Sequence, residues 1–313
     1  MLSGLSLTMI ALLVILGVVL DLILGEVRRW HPLEGFGRLA NALERRLNQG
    51  VRKHWTGALA WLVAVLPLVL LAYGTIRWSA SLEIWTSAGI HAVLLYFSLG
   101  LRSLRDHTMP IERALAQNDL VQARLLTARI VSRDTAQADA SDLAKAGVES
   151  LLENGNDAVF GTLFWFIVAG GPGAVLFRLA NTLDAMWGYR TPRYHAFGCV
   201  AARIDDTLNW IPARLTALSY ALLGDMRQGL HCWQTQAPSW SSPNAGPVMA
   251  AGAGALGLAL GGAASYDGVI ENRPPLGIGC VANAKDIGRA WRLVAGTTAL
   301  WIVMLSIAAF IFF

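Results

Sequence analysis

The stretch Gly57–Ile76, GALAWLVAVLPLVLLAYGTI, runs for twenty residues without a single charge. The hydrocarbon core of a bilayer is about 30 Å thick, and a helix needs about 20 mostly apolar residues to cross it. Trp55 and Trp78 flank the run, as indole rings do at the two membrane interfaces. This stretch reads as a transmembrane helix, and the rest of the chain reads outward from it.

Three more runs have the same character. Leu5–Leu24 is interrupted only by Asp21 and lacks both a basic start and a small-residue cleavage site. It therefore reads as an anchor rather than a removable signal. Leu82–Leu101 carries His91 near its middle, and Leu293–Phe313 ends the chain. Residues 158–189 behave differently. Their first apolar run, Ala158–Ala169, is too short to cross, and Gly170-Gly171-Pro172-Gly173 then breaks a helix. A re-entrant helical hairpin is expected here, since broken helices at membrane depth survive inside protein or beside a polar cavity. Leu208–Leu223 and Val248–Ala264 are apolar segments of intermediate length, the second rich in Gly and Ala and suited to close packing.

Composition agrees. Of 313 residues, 55% are hydrophobic and 15% charged, against about 25% charged in soluble domains. A soluble enzyme and a disordered chain are both excluded. The net charge is +4, and the positive charge is nearly all arginine, because Lys53, Lys145 and Lys285 are the lysines. That charge is not clustered as a nucleic-acid binder requires, so no nucleic-acid partner is expected. Cys199, Cys232 and Cys280 have no metal-site or disulfide spacing. The stretches 25–56 and 102–157 each hold seven Lys/Arg, whereas 77–81 holds one. By the excess of positive charge on cytoplasmic loops, both long stretches lie inside and the N-terminus outside. The expectation is an all-α polytopic membrane helical bundle, one domain, with cytoplasmic helical loops and membrane lipid around it.

The polar residues fall in sets. Ser141–Asn154 reads as a short cytoplasmic helix behind an Asp139/Ser141 cap, with Lys145, Glu149 and Glu153 on one face. Asn154 and Asp157 follow. Three acids beside an amide repel one another unless a cation or arginine offsets them. Arg178, Asn181 and Asp184 lie one turn apart in the second arm of the hairpin, where ionisable groups are expensive and are paired or functional. Arg203, Asp205, Asp206 and Asn209 come next, with Asp205 and Asn209 on one face, ahead of Arg214. Oxygen-only sets of this kind suit Mg²⁺, held by one or two carboxylates and substrate phosphates. Arg133 beside Asp134 offers a bidentate partner for phosphate or carboxylate. His31-Pro32 lies below the first span, and Ser242-Pro243-Asn244 forms a turn or cap. No P-loop, GxSxG elbow or HExxH motif is present.

Taken in order, these motifs resemble the adenosylcobinamide-phosphate synthase family. The resemblance rests on Asp21…His31-Pro32…Gly37, Ser132-Arg133-Asp134-Thr135, and Glu149-Ser150-x-x-Glu153-Asn154-x-x-Asp157. It continues through Asn181-Thr182-Leu183-Asp184-x-Met186-x-Gly188-Tyr189-Arg190 and Arg203-x-Asp205-Asp206-x-x-Asn209-x-x-Pro212-Ala213-Arg214. Ser242-Pro243-Asn244-Ala245-Gly246 and the Gly/Ala-rich run to Tyr266 complete it, so that it covers Asp21 to about Gly277. Two departures stand out: Gly25-Glu26-Val27 replaces a Gly-Asp-Pro common in the family, and Ala158 follows Asp157.

The resemblance implies an integral inner-membrane enzyme of cobalamin biosynthesis with its active site facing the cytoplasm. It would join adenosylcobyric acid to (R)-1-amino-2-propanol O-phosphate, or to aminopropanol, using ATP and Mg²⁺. Neighbouring enzymes of the pathway are implied partners. Glu149, Glu153, Asp184, Asp205 and His31 are the expected catalytic groups. Arg133, Arg190, Arg203, Arg214, Asn154, Asn181, Asn209, Ser242, Asn244 and Tyr189 would bind substrate or phosphate. Asp134, Asp157, Asp184, Asp205 and Asp206 would hold metal. A non-enzymatic relative with a signalling role would lack most of these polar residues. A corrinoid transporter would show an internal repeat, and the sequence has none.

Overall fold

Ser6 opens the first helix by accepting a hydrogen bond from the Met9 N–H at 3.2 Å, which satisfies one of the donors that every helix start leaves bare. The computed structural model describes residues 4–27, 31–50, 52–266 and 268–312. Arg28 and Arg29, counted above in the first basic stretch, lie outside them, as does Phe313. The helices in order are α1 (Leu7–Leu24), α2 (Pro32–Leu47), α3 (Lys53–Leu82), α4 (Ile84–Ser98), α5 (Leu101–Ala116) and α6 (Leu120–Thr127). α7 (Ala140–Gly155) leads through a π turn (Asn156–Phe160) into α8 (Gly161–Trp187). Then come α9 (Cys199–Leu223), α10 (Met226–Gln236), α11 (Ala245–Leu256), strands β1 (Leu258–Tyr266), β2 (Val269–Leu276) and β3 (Cys280–Val281), and α12 (Ala284–Ile311).

Among the described residues, five helical stretches are long and apolar enough to cross a membrane: Leu7–Leu24, Lys53–Leu82, Ile84–Ala116, Ala140–Trp187 and Ala284–Ile311. A polytopic helical membrane bundle is what they make. Leu12, Leu16 and Ile23 of α1, Leu70 and Leu71 of α3, and Met304 and Phe310 of α12 are exposed, as lipid-facing side chains are.

The chain packs as two compact units. The first comprises Met1–Gly100, Gly161–Asn209 and Met304–Phe313. Its core gathers Phe36 and Ala40 of α2, Ala60, Trp61 and Ala64 of α3, Leu183 and Trp187 of α8, and Phe197. Within α8 the backbone reverses at Gly170, whose φ of 67° and ψ of −154° belong to a region open essentially to glycine alone. The two arms then lie against each other. Phe177 places its ring on Gly161, and Gly173 sits on the Trp165 carbonyl. In a straight helix a rise of 1.5 Å per residue would part the first pair by about 24 Å. His91 of α4 fastens the turn, its Nδ1 accepting from the Gly171 N–H at 2.8 Å.

The second unit comprises Leu101–Phe160 and Trp210–Val303. α7 and α11 are its most enclosed helices, with Val148–Leu152 and Gly246–Ala255 all buried. Phe160 meets the rings of Tyr220 and Trp301 at 6.0 and 5.3 Å. β1 pairs antiparallel with β2 and parallel with β3.

Several expectations change. The segment Val248–Ala264 is not one apolar helix: α11 stops at Gly257, in the left-handed region, and the chain continues as β1. The architecture is therefore helical with a small added sheet. Leu208–Leu223 is the second half of α9. In the third expected span, α4 ends at Ser98, and the last starts at Ala284 rather than Leu293. The helix expected at Ser141–Asn154 is present as α7 with its Asp139 cap, but it is largely buried and enters α8 with no loop between.

Candidate functional site

Strand β1 carries a register shift between Gly261 and Gly262, and such bulges re-aim backbone groups beside functional sites. Gly261 has a φ of 72°, and a Cβ there would strike the Pro274 carbonyl at 2.3 Å. The bulge turns the Gly261 N–H onto Oε1 of Glu149, at 2.8 Å. Arg273 of β2 donates to both oxygens of the same carboxylate, at 2.9 and 3.3 Å. Arg133 donates to Oε2 through Nη2. Glu149 is 2% exposed, so its charge is tolerated only because it is paired and hydrogen-bonded. Lys145, expected on its face, pairs instead with Asp142 at 3.6 Å.

One turn on, Glu153 is half-buried. Among the described residues its carboxylate makes no hydrogen bond or ion pair. It lies within the fields of Asp157 and Glu149 and of Arg133 and Arg273. Asn154 is held back on its own helix, bonding to the carbonyl and hydroxyl of Ser150. Asp157 sits in the π turn, where Asn156 donates to it at 2.9 Å and itself accepts from Thr216 at 2.9 Å. Single π turns recur at functional sites, because the extra residue redirects side chains.

Asp134 is exposed and tied to the β1–β2 end, accepting from the Ser265 hydroxyl at 2.7 Å and the Gly268 N–H at 2.8 Å. Arg214 stacks on Trp210 at 4.4 Å and donates to Asn244 Oδ1 at 2.9 Å and to the Pro243 carbonyl at 3.1 Å. Ser242 caps the start of α11, accepting from the N–H groups of Asn244 and Ala245. These residues all belong to the second unit.

In the first unit, His31 caps α2, its Nδ1 accepting from the Leu33 N–H at 3.2 Å. Burial lowers its pKa below the ordinary histidine value and the Arg178 charge adds to this, against Glu26 and Glu34. α9 buries Asp205 and Asn209, four residues apart, and leaves Asp206 half-buried and Arg203 exposed. Asn181 and Asp184 are half-buried in the second arm of α8, and Tyr189 and Arg190 are exposed in the loop after it.

Mg²⁺ would find carboxylates here but no closed cage. Among the described residues no three His, Cys, Asp or Glu side chains converge. Asp157, in the π turn, fits a Mg²⁺ that completes its shell with phosphates and water. Glu149 does not fit, because its oxygens are already occupied.

Sequence reasoning missed Arg273 and Ser265, and it gave Gly261, part of the Leu260-Gly261-Gly262 motif, no role. The signal for the strands was the Asp267-Gly268 pair, a hairpin-turn dipeptide hidden behind a Gly/Ala-rich run.

Comparison places the chain among known proteins. The family model described as CobD/CbiB protein matches residues 14–294. Cobalamin biosynthesis protein CobD of Stutzerimonas stutzeri is 54% identical over 96% of this chain and 98% of its own. The protein of the same name from Chromobacterium violaceum is 53% identical, covering 96% of each chain. Cobalamin biosynthesis protein CbiB of Salmonella arizonae is 32% identical over 90% of this chain and 92% of its own. No solved structure matches. With nearly its whole length matched, the chain belongs to the CobD/CbiB family.

Proposed function

We propose that the chain acts in cobalamin biosynthesis as an amide-forming ligase, adenosylcobinamide-phosphate synthase. It would join the free carboxylate of adenosylcobyric acid to the amine of (R)-1-amino-2-propanol O-phosphate, or to aminopropanol, at the expense of ATP. The single observation that best supports this chemistry is the Glu153 carboxylate. It is half-buried and, among the described residues, makes no hydrogen bond or ion pair, one turn from a carboxylate saturated by two arginines.

A carboxylate does not condense with an amine in water, so it must first be activated. The corrinoid carboxylate would attack the terminal phosphorus of ATP, giving an acyl phosphate and ADP. The amine would then attack the acyl carbon and release phosphate. Only a neutral amine is a nucleophile, so a base must take its proton, and Glu153 is the assigned base. Mg²⁺ would supply screening of phosphate charge during the transfer. In the second unit Asp157 is a proposed holder and Arg133 and Arg214 grip phosphates; in the first, Asp184, Asp205 and Asp206 are the proposed holders, Arg190 and Arg203 grip phosphates, and Asn181 and Asn209 orient substrate. Glu149, with its oxygens taken, is assigned to positioning rather than chemistry.

The location proposed is the bacterial inner membrane, with the basic stretches and the site on the cytoplasmic side and the α8 hairpin re-entrant. The test is direct. Purified full-length protein in lipid nanodiscs, given adenosylcobyric acid, ATP, Mg²⁺ and aminopropanol phosphate, should form adenosylcobinamide phosphate and ADP, read by mass spectrometry. Absence of product with protein that remains folded sinks the reading.

A further inference from the structure

A cavity of about 660 Å³ lies within the second unit, between the 128–138 segment, the first half of α7 and the β1–β2 hairpin. Its lining is mostly small residues, such as Ala136, Ala263 and Gly261, with charge supplied by a few groups. Each of those groups can be accounted for. Arg273 is spent on both oxygens of Glu149 and on the Gly262 carbonyl. Asp134 is spent on Ser265 and Gly268, and Asp142 sits beside Lys145.

Arg133 is the exception. Its side chain is 12% exposed, and among the described residues Nη2 alone is engaged, by Glu149. Nε and Nη1 are left with donors to spare on a residue that borders the cavity. Arg273 and the Gly261 N–H hold Glu149 in place, so Arg133 is aimed from behind, and a fixed planar fork suits two oxygens of one phosphate.

We propose that this cavity is an oxyanion site for a small soluble organic phosphate, gripped by the free edge of Arg133, with Arg273 as a positioning residue acting through Glu149. The proposal deepens the reading above, since it gives one phosphorylated substrate of that reaction a place, and its binding test is independent of turnover.

The probe is inorganic pyrophosphate, and the readout is the thermal unfolding midpoint of the full-length protein in phosphatidylcholine nanodiscs, with sodium chloride at matched ionic strength as control. Pyrophosphate should raise the midpoint of the wild type by a few degrees (on the order of 1 kcal/mol of linkage, about 2–8 °C). Arg133→Lys should lose most of that shift. Ala136→Trp, an exposed position on the cavity wall, should lose it without touching the triad. Arg273→Lys, which keeps a donating cation without the planar fork, should retain more of it than Arg273→Met. No wild-type shift, or an undiminished shift in Ala136→Trp, overturns the site. Loss of the effect when phosphatidylglycerol replaces phosphatidylcholine assigns the pocket to a lipid headgroup and overturns the soluble ligand. Failure of this site is distinguishable from failure of the reaction. If product forms with unchanged KM for ATP and aminopropanol phosphate in Arg133→Lys, the site falls and the reaction stands. If pyrophosphate stabilises through Arg133 and no product forms, the reaction falls and the site stands.

Discussion

Arg273 of β2 reaches Glu149 of α7 with two hydrogen bonds, at 2.9 and 3.3 Å, across 124 residues of sequence. This pair joins the sheet to the buried helix, and Arg133 completes it from the other side. Removing one partner of a buried ion pair leaves a charge uncompensated and costs about 3–5 kcal/mol. Glu149→Ala strands two guanidiniums at once and should be the worst single change at this cluster, read by denaturant unfolding in detergent. A loss under about 1 kcal/mol would mean that water reaches the triad.

The long apolar helices were legible because their signal is local: twenty apolar residues announce themselves without tertiary information. The pairing of Glu149 was not legible. Lys145 stands four residues away on the same face, and helical spacing alone prefers that neighbour to Arg273. The correct partner depends on a β hairpin, and β1 is written in glycine and alanine, whose small side chains carry almost no periodicity. The π turn at Asn156–Phe160 leaves no mark in composition either. The reversal at Gly170 was readable, since consecutive glycines and a proline have few other uses inside an apolar run.

Glu44 of α2 accepts from Arg193 at 3.0 and 2.7 Å and from Asn48 at 2.7 Å. The Arg193 hydrogen bonds chiefly hold its pKa below the ordinary 4.5, against burial, with Asn48 and nearby cations helping. A depressed folded pKa means that the contribution is present above 4.5 and fades as pH falls through the folded value. Protection factors around residues 191–198, exchange rates divided into their intrinsic values at each pH, should therefore be flat from pH 6 to 8 and fall in acid. Glu44→Gln should flatten that acid response. An unchanged profile in Glu44→Gln would remove the pair from the account.

Orientation can be checked with single reporter cysteines in a cysteine-free background. Gln49 and Gln117 are exposed and lie in the two basic stretches, so they should label only from the cytoplasmic side. Ser79 is buried, so Ala80, exposed beside it, takes the outward label. Periplasmic labelling of Gln49 would reverse the topology and the proposed side of the site with it.

The α8 reversal makes a paired prediction. A Cβ on Gly161 would lie 2.1 Å from the Phe177 ring tip, closer than any real contact, so Gly161→Ala should destabilise by about 1–3 kcal/mol as overpacking does. Phe177→Leu in the same chain removes the ring and should recover part of that loss. Residues far apart on a straight helix would behave additively. A coupling of about 1 kcal/mol in the double-mutant cycle is the expected result, and additivity would argue that the two arms do not meet.

Glu153 and Glu149 are both carboxylates on α7, one turn apart, yet their replacements should behave oppositely. Glu149 is held by four hydrogen bonds, so Glu149→Gln loses charge complementarity to two arginines and should weaken the fold before it touches chemistry. Glu153 makes no hydrogen bond among the described residues, so Glu153→Gln breaks no bond that the fold uses and should cost far less stability than Glu149→Gln. If Glu153 takes the proton of the attacking amine, turnover should fall by about 10²–10⁴, the usual contribution of a general base. The loss should appear in kcat more than in KM, because the amine still binds. It should also shrink at high pH, where more of the amine is already neutral. A Glu153→Gln enzyme with near-normal kcat at neutral pH would strip the residue of that role, and a stable Glu149→Gln enzyme with abolished turnover would return the chemistry to Glu149.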